Sequence, residues 1–173
     1  MREPFWFRQW VKSRGLGNEF GVPIRNFAKV DDRLYRGALP DAAGYRALRE
    51  RVGVKAILNL VPARAEEHRR LATDAGIPVW IHAPFSDRDF PETGLVRSWL
   101  DHVRDDENVP LYTHCMGGRH RTGTLIAVYR VVDQGWTRED AFAEMLRYGW
   151  YQGMGHRALK EWFFERFQPE TYR

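Results

Sequence analysis

The sequence predicts an α/β fold, a central, mostly parallel sheet flanked by helices. Three observations carry that expectation. Short β-rich runs alternate along the chain with helical stretches that keep one apolar edge. Residues 54–61 and 109–113 are predominantly apolar rather than alternating, as strands covered on both faces are. The second run leads through a short loop into the nearly uninterrupted apolar stretch 124–134, so strand, loop and buried helix follow one another directly.

Taken in order, Leu34, Tyr35 and Arg36 form a short strand that leaves through the turn 37–40. Asp41 is placed to cap a helix whose apolar positions are Tyr45, Leu48 and Val52. The strand 54–61 is closed by Pro62, and a charged helix follows with Leu71, Ala72 and Ala75 as its thin apolar edge. Residues 77–82 give the next strand, between Gly76 and Pro84. Leu95, Val96, Trp99, Leu100 and Val103 then keep helical spacing. Beyond the apolar helix, Thr137 to Asp140 resembles a capping box with Asp in place of Glu or Gln. Its helix buries Ala141, Phe142, Met145 and Leu146, and a Gly-rich turn at 149–155 separates it from a last helix with Leu159, Trp162, Phe163 and Phe167.

The chain has 173 residues, enough for one domain with a sizeable core. No repeat or linker splits it, so the expected division is an N-terminal aromatic and basic extension, 1–25, and one domain, 26–173. In the extension, Phe5, Trp6, Phe7, Trp10 and Val11 lie among Arg2, Arg8, Lys12 and Arg14. Such a segment suits a membrane surface or an aromatic flap packed on the domain, and the flap is the expectation. No run reaches the length of a membrane span, and the N-terminus has no secretory-signal pattern. A single cysteine excludes an internal disulfide framework and a Cys-rich zinc site, and suits a reducing, cytoplasmic setting. The net charge is +4 and only four of the cations are lysines (Lys12, Lys29, Lys55, Lys160). The arginines are scattered and no nucleic-acid fold signature accompanies them, so a solvated basic surface is expected, not a nucleic-acid partner.

The chemistry concentrates in residues 114–123, His-Cys-Met-Gly-Gly-Arg-His-Arg-Thr-Gly. A loop between strand and helix points its amides at one spot, and the helix N-terminus adds partial positive charge. That geometry binds an oxyanion and favours a thiolate at Cys115. Arg121 at the helix junction can grip two phosphate oxygens, which a lysine cannot. Gly117 and Gly118 allow close backbone approach, and Met116 completes the loop. Strand alternation turns His114 away from the loop interior, toward a supporting role that holds the cysteine in place. Arg119 and His120 are expected to radiate toward the rim and make the mouth cationic.

His114-Cys115, five residues on to Arg121-Thr122-Gly123, resembles the signature of the protein tyrosine phosphatase superfamily, in its dual-specificity branch. The string 118–123 is similar to that of the plant-and-fungal atypical group, and segments 26–30 and 34–37 also resemble it; the likeness runs from about Asn26 to Trp150. The resemblance implies a dual-specificity-phosphatase-like fold and a metal- and cofactor-independent hydrolase of phosphate monoesters. It also implies a Cys115 nucleophile, a Thr122 hydroxyl that eases breakdown of the phosphocysteine, and a general-acid aspartate on an upstream loop. The loop 86–92 is the candidate: Asp87 and Asp89 are both reachable, the choice stays open, and Glu92 comes next. Members of the group act on inositol pyrophosphates, so a polyanionic substrate such as an inositol phosphate is expected. A protein-directed dual-specificity phosphatase is the enzymatic alternative, and a silent phosphate-binding module is the rival of another class.

Overall fold

The computed structural model describes residues 19–173; the N-terminal aromatics lie outside the described residues. Strands β1 (Ala28–Lys29), β2 (Leu34–Gly37), β3 (Ala56–Asn59), β4 (Val79–His82) and β5 (Leu111–His114) form one sheet. Their order is β1-β2-β5-β3-β4, and only the β1–β2 pairing is antiparallel. Helices α1 (Ala42–Ala47), α2 (Ala65–Asp74) and α3 (Thr93–Arg104) connect the parallel strands. Helices α4 (Arg121–Val132), α5 (Arg138–Arg147) and α6 (Arg157–Glu161) follow β5, and a 3-10 turn, Pro169–Tyr172, ends the chain. The mostly parallel, helix-flanked sheet is the architecture that the alternating pattern predicts.

Strands β2 to β5 divide their side chains between two cores, as a period of two requires. Leu34, Ala56, Leu58 and Leu111 face one cluster with Val96, Trp99, Leu100 and the α4 residues Leu125 to Val128. Tyr35, Ile57 and Tyr112 face the other, with Tyr45, Leu48 and Ala72. Val22 and Ile24 are buried in that second cluster, so packing reaches N-terminal to Asn26. Asp41 caps α1 by accepting the Gly44 N–H at 2.7 Å. Thr137 caps α5 by accepting the Asp140 N–H at 3.1 Å. The shorter Asp140 carboxylate closes on the Thr137 hydroxyl at 2.9 Å, the contact its length allows.

Strand β3 is shorter than the apolar run 54–61, and at its end the Asn59 side chain braces the backbone two residues on. That side chain accepts from the Val61 N–H at 2.9 Å and donates to the Val61 carbonyl at 3.0 Å. Val54, Leu60 and Val61 are buried beyond the ends of β3, and the Leu60 N–H still donates to the His114 carbonyl of β5 at 3.0 Å. Helix α4 is buried almost all round, and within it Arg130 pairs doubly with Glu144 of α5 at 2.8 and 2.9 Å. Removing either partner would strand a buried charge, so this pair fixes how α5 docks on α4.

Register places the site. Gly37 of β2 and Asn59 of β3 both pair with His114 of β5, so three parallel strands end level. The loops after them open at one carboxyl edge, where α/β sheets form their crevices.

Candidate active site

Cys115 is the first residue after β5 and is 3% exposed at the base of a pocket of about 250 Å³. The loop that follows is held from behind by groups far away in sequence. Asn26 donates Nδ2–H to the carbonyls of Gly117 (3.3 Å), Gly118 (3.1 Å) and Tyr148 (2.8 Å). Buried Arg36 donates to the Gly118 carbonyl at 2.8 Å while stacking over the Tyr148 ring at 4.0 Å. With the carbonyls gripped from outside, loop amides face inward. Gly118 sits at φ +67°, and a Cβ there would collide with the Gly37 backbone and stand 2.8 Å from the Ala38 nitrogen. Only glycine fits both the conformation and the approach. Asn26 itself adopts φ +61°, which asparagine tolerates better than most residues.

Burial pushes the Cys115 thiol up, but the Thr122 hydroxyl, the Arg121 guanidinium and the amides of Thr122 and Arg119 outweigh it, and its pKa falls below that of an ordinary thiol. The buried Thr122 hydroxyl bonds no nitrogen or oxygen, which leaves it free to favour the thiolate. Arg121 donates Nη1–H to the Leu60 carbonyl at 2.9 Å and to the Phe85 carbonyl at 3.2 Å. Its Nε has no protein partner. The same arginine thus ties the nucleophile loop to the loop after β4. His114 lies on the Tyr112 side of the sheet, stacked on that ring at 5.7 Å. Burial holds its pKa down at about 3, so it stays neutral and supplies no charge to the thiolate.

The two candidate acids separate. Asp87 lines the pocket with Cys115 and Arg121. Asp89 is exposed, is not among the lining residues, and accepts the Phe90 N–H at 2.8 Å. Glu92 is exposed too, at the N-cap of α3. Burial pushes the Asp87 carboxyl up, but a hydrogen bond from His156 and the field of Arg121 carry it net below its usual range.

His120 departs from the expected free cation at the rim. It is 8% exposed, its Nε2 lies 3.1 Å from the Tyr151 carbonyl, and its ring stacks on His156 with centroids 3.4 Å apart. Burial first and His156 second bring its pKa down to about 4, so near neutral pH it carries no charge. The cations at the mouth are Arg25, Arg88, Arg119 and Arg121. Arg25 and Arg88 carried no signal in the sequence, since nothing local ties residue 25 to the loop at 115–121. Met116 is exposed at the same rim, beside Tyr151 and Met154. Among the described residues no cluster of three or more His, Cys, Asp or Glu is placed to hold a metal ion, and no helix is long and apolar enough to cross a membrane.

A thiol made acidic at the floor of an amide cradle, with a fixed guanidinium beside it, is equipped to take a phosphoryl group onto sulfur. The fold and site therefore define a cysteine-dependent phosphatase. A profile of the tyrosine phosphatase family matches residues 21–173, and the chain belongs to that family. It is 33% identical over 145 residues to an inositol diphosphatase of Arabidopsis thaliana, covering 80% of this chain and 70% of the relative. It is 28% identical to an inositol diphosphatase of Saccharomyces cerevisiae, of which it spans 56% while 90% of this chain is covered. Among solved structures, the core catalytic domain of the PP-IP phosphatase of S. cerevisiae, in complex with citrate, aligns with a TM-score of 0.70 and 27% identity over 80% of this chain and 86% of that one. A dual-specificity phosphatase of Pseudomonas aeruginosa in complex with phosphotyrosine, TpbA, aligns at 0.71 with 26% identity over 90% of each chain.

Proposed function

We propose that this chain hydrolyses a polyphosphorylated small molecule, of the inositol phosphate or pyrophosphate class, through a phosphocysteine. The observation that carries this is the ring of Arg25, Arg88 and Arg119 around a pocket where Arg121 already serves the reacting phosphate. A single phosphate leaves three guanidinium groups without an anion; a ligand with several phosphates engages them. The curated inositol diphosphatases among its relatives support the same class.

In this reading the Cys115 thiolate attacks phosphorus in line, forming the S–P bond as the P–O bond to the leaving group breaks. Arg121 and the loop amides hold the equatorial oxygens, where charge accumulates in the transition state. Asp87 gives its proton to the departing oxygen, then takes one from the water that cleaves the S–P bond and frees the thiolate. Asp87 is ionised in the free enzyme at neutral pH. A bound phosphate dianion offsets the Arg121 field and adds negative charge nearby, which raises the carboxyl pKa, so that Asp87 takes up from solvent, as substrate binds, the proton it then gives. Asp87→Asn is expected to slow an alkyl phosphate on the order of a hundredfold and an activated aryl ester less than about fivefold, whereas Asp89→Asn leaves both within about twofold. Kinetics against leaving-group pKa would show it; an unchanged slope in Asp87→Asn removes that residue from the role.

Exposed Met116, Tyr151 and Met154 favour a second reading, since they offer an apolar wall to the ring of a phosphotyrosine. Comparing kcat/KM on inositol pyrophosphate and on phosphotyrosine peptide separates the two. Arg25→Ala, Arg88→Ala and Arg119→Ala are each expected to raise KM for the polyphosphate roughly five- to tenfold and for an aryl monophosphate less than about twofold. The preference is also expected to weaken as salt rises. Equal losses on both substrates, or preference for the peptide, would return the enzyme to the protein-phosphatase reading.

A further inference from the structure

The turn at 149–155 ends in His156, a residue outside the signature and 4% exposed. Its ring lies face to face with His120 of the phosphate-binding loop, 3.4 Å between centroids and 9° between planes. Tyr151 packs its edge against both rings, at 4.5 Å from His120 and 5.1 Å from His156. On the other side, His156 Nε2 meets Asp87 Oδ2 at 3.3 Å. Its Nδ1 is buried without a partner, so the hydrogen bond to Asp87 is the one polar contact of the imidazole. The residue before it is closely packed as well: Gly155 at φ +90° lies where a Cβ would be 3.1 Å from Cγ of Arg88, the neighbour of Asp87.

We propose that His156 is the positioning residue of the general acid: braced on His120, it donates Nε2–H to Asp87 and holds that carboxyl over Cys115. The inference rests on the assignment of Asp87 as the acid. It makes the acid loop answer to two tethers from the nucleophile loop, one through Arg121 to the Phe85 carbonyl and one through the His120–His156 stack to Asp87. Without the second, the carboxyl, whose side chain is 42% exposed, would be free to swing toward solvent. His120 thereby has a use other than binding anions. A neutral ring there gives His156 a flat support; a cationic one would repel its neighbours Arg119 and Arg121.

Two substitutions separate the hydrogen bond from the stack. His156→Phe keeps a ring against His120 and removes the donor; His156→Gln loses the ring and keeps an N–H at the distance of Nε2. His156→Phe is expected to lower kcat on an alkyl phosphate on the order of tenfold, with KM and the rate on an activated aryl ester within about twofold. His156→Gln is expected to recover to within about threefold of wild type. In the Asp87→Asn background His156→Phe should cost nothing further, because the group it positions is gone. Equal losses on alkyl and aryl substrates, an additional tenfold loss in the Asp87→Asn background, or a Gln variant no better than Phe would each overturn the proposal. If Asp87→Asn itself leaves the leaving-group dependence unchanged, the acid assignment falls and the positioning role falls with it; if only the His156 variants behave as wild type, the acid assignment stands alone.

Discussion

Cys115→Ser is expected to reduce turnover by at least about 10⁴-fold on every substrate while leaving anion binding within about threefold of wild type. The two halves of that result come from different parts of the loop. Turnover needs a nucleophile that is ionised at working pH. The Thr122 hydroxyl, the Arg121 guanidinium and two amides carry the thiol below its ordinary pKa, overcoming its burial; a serine hydroxyl, far less acidic, stays protonated in the same field. Binding needs only the cradle, which Asn26 and Arg36 hold from behind and which does not involve the sulfur. Calorimetry with inorganic phosphate, beside a turnover assay, measures both. Alkylation by iodoacetate adds a third observable: in the wild type its midpoint falls below that of an ordinary thiol, and Thr122→Ala moves it upward by removing a donor to the thiolate. A serine variant that still turns over near the wild-type rate would end the covalent mechanism.

The local part of this enzyme is legible because its chemistry is contiguous. Cys115, Gly118, Arg121 and Thr122 lie within one strand-loop-helix, and their types state what a phosphoryl site needs. The parallel strands are legible for a similar reason, since β3 and β5 are apolar on both faces and announce their burial. What fails is contact across long sequence separations. His120 reads as a rim cation until His156, far along the chain, covers it with a second ring. Arg25, Asn26 and Arg36 precede the loop by about eighty to ninety residues, yet one lines the pocket and the others hold its carbonyls. Asp87 and Asp89 are indistinguishable by composition. Only the side-chain directions separate them, one carboxyl lining the pocket and the other accepting the Phe90 N–H at the surface. The end of β3 at Asn59 belongs with these, because a polar residue inside an apolar run does not by itself say that its side chain will bond the backbone two residues on.

Arg121→Lys is expected to lower kcat/KM on the order of a thousandfold although the charge is kept. In the wild type Nη1 is already committed to the Leu60 and Phe85 carbonyls, at 2.9 and 3.2 Å, which orients the guanidinium plane from behind. Nε has no protein partner, and the side chain lines the pocket, so the fork keeps donors for phosphate oxygens while its back is anchored. A lysine has one nitrogen. It can meet the carbonyls or the phosphate, and it cannot match two equatorial oxygens in one plane. Charge and geometry then separate in experiment. Because the thiol responds to charge, its alkylation midpoint should rise less in Arg121→Lys than in Arg121→Ala. Because the transition state responds to the fork, both variants should lose most of their kcat/KM. The lysine variant should also show a steeper leaving-group dependence, since the tether from Arg121 to the Phe85 carbonyl weakens with it and the Asp87 loop is held less firmly. A lysine enzyme within tenfold of wild type would mean that a point charge suffices, and that the loop amides alone shape the transition state.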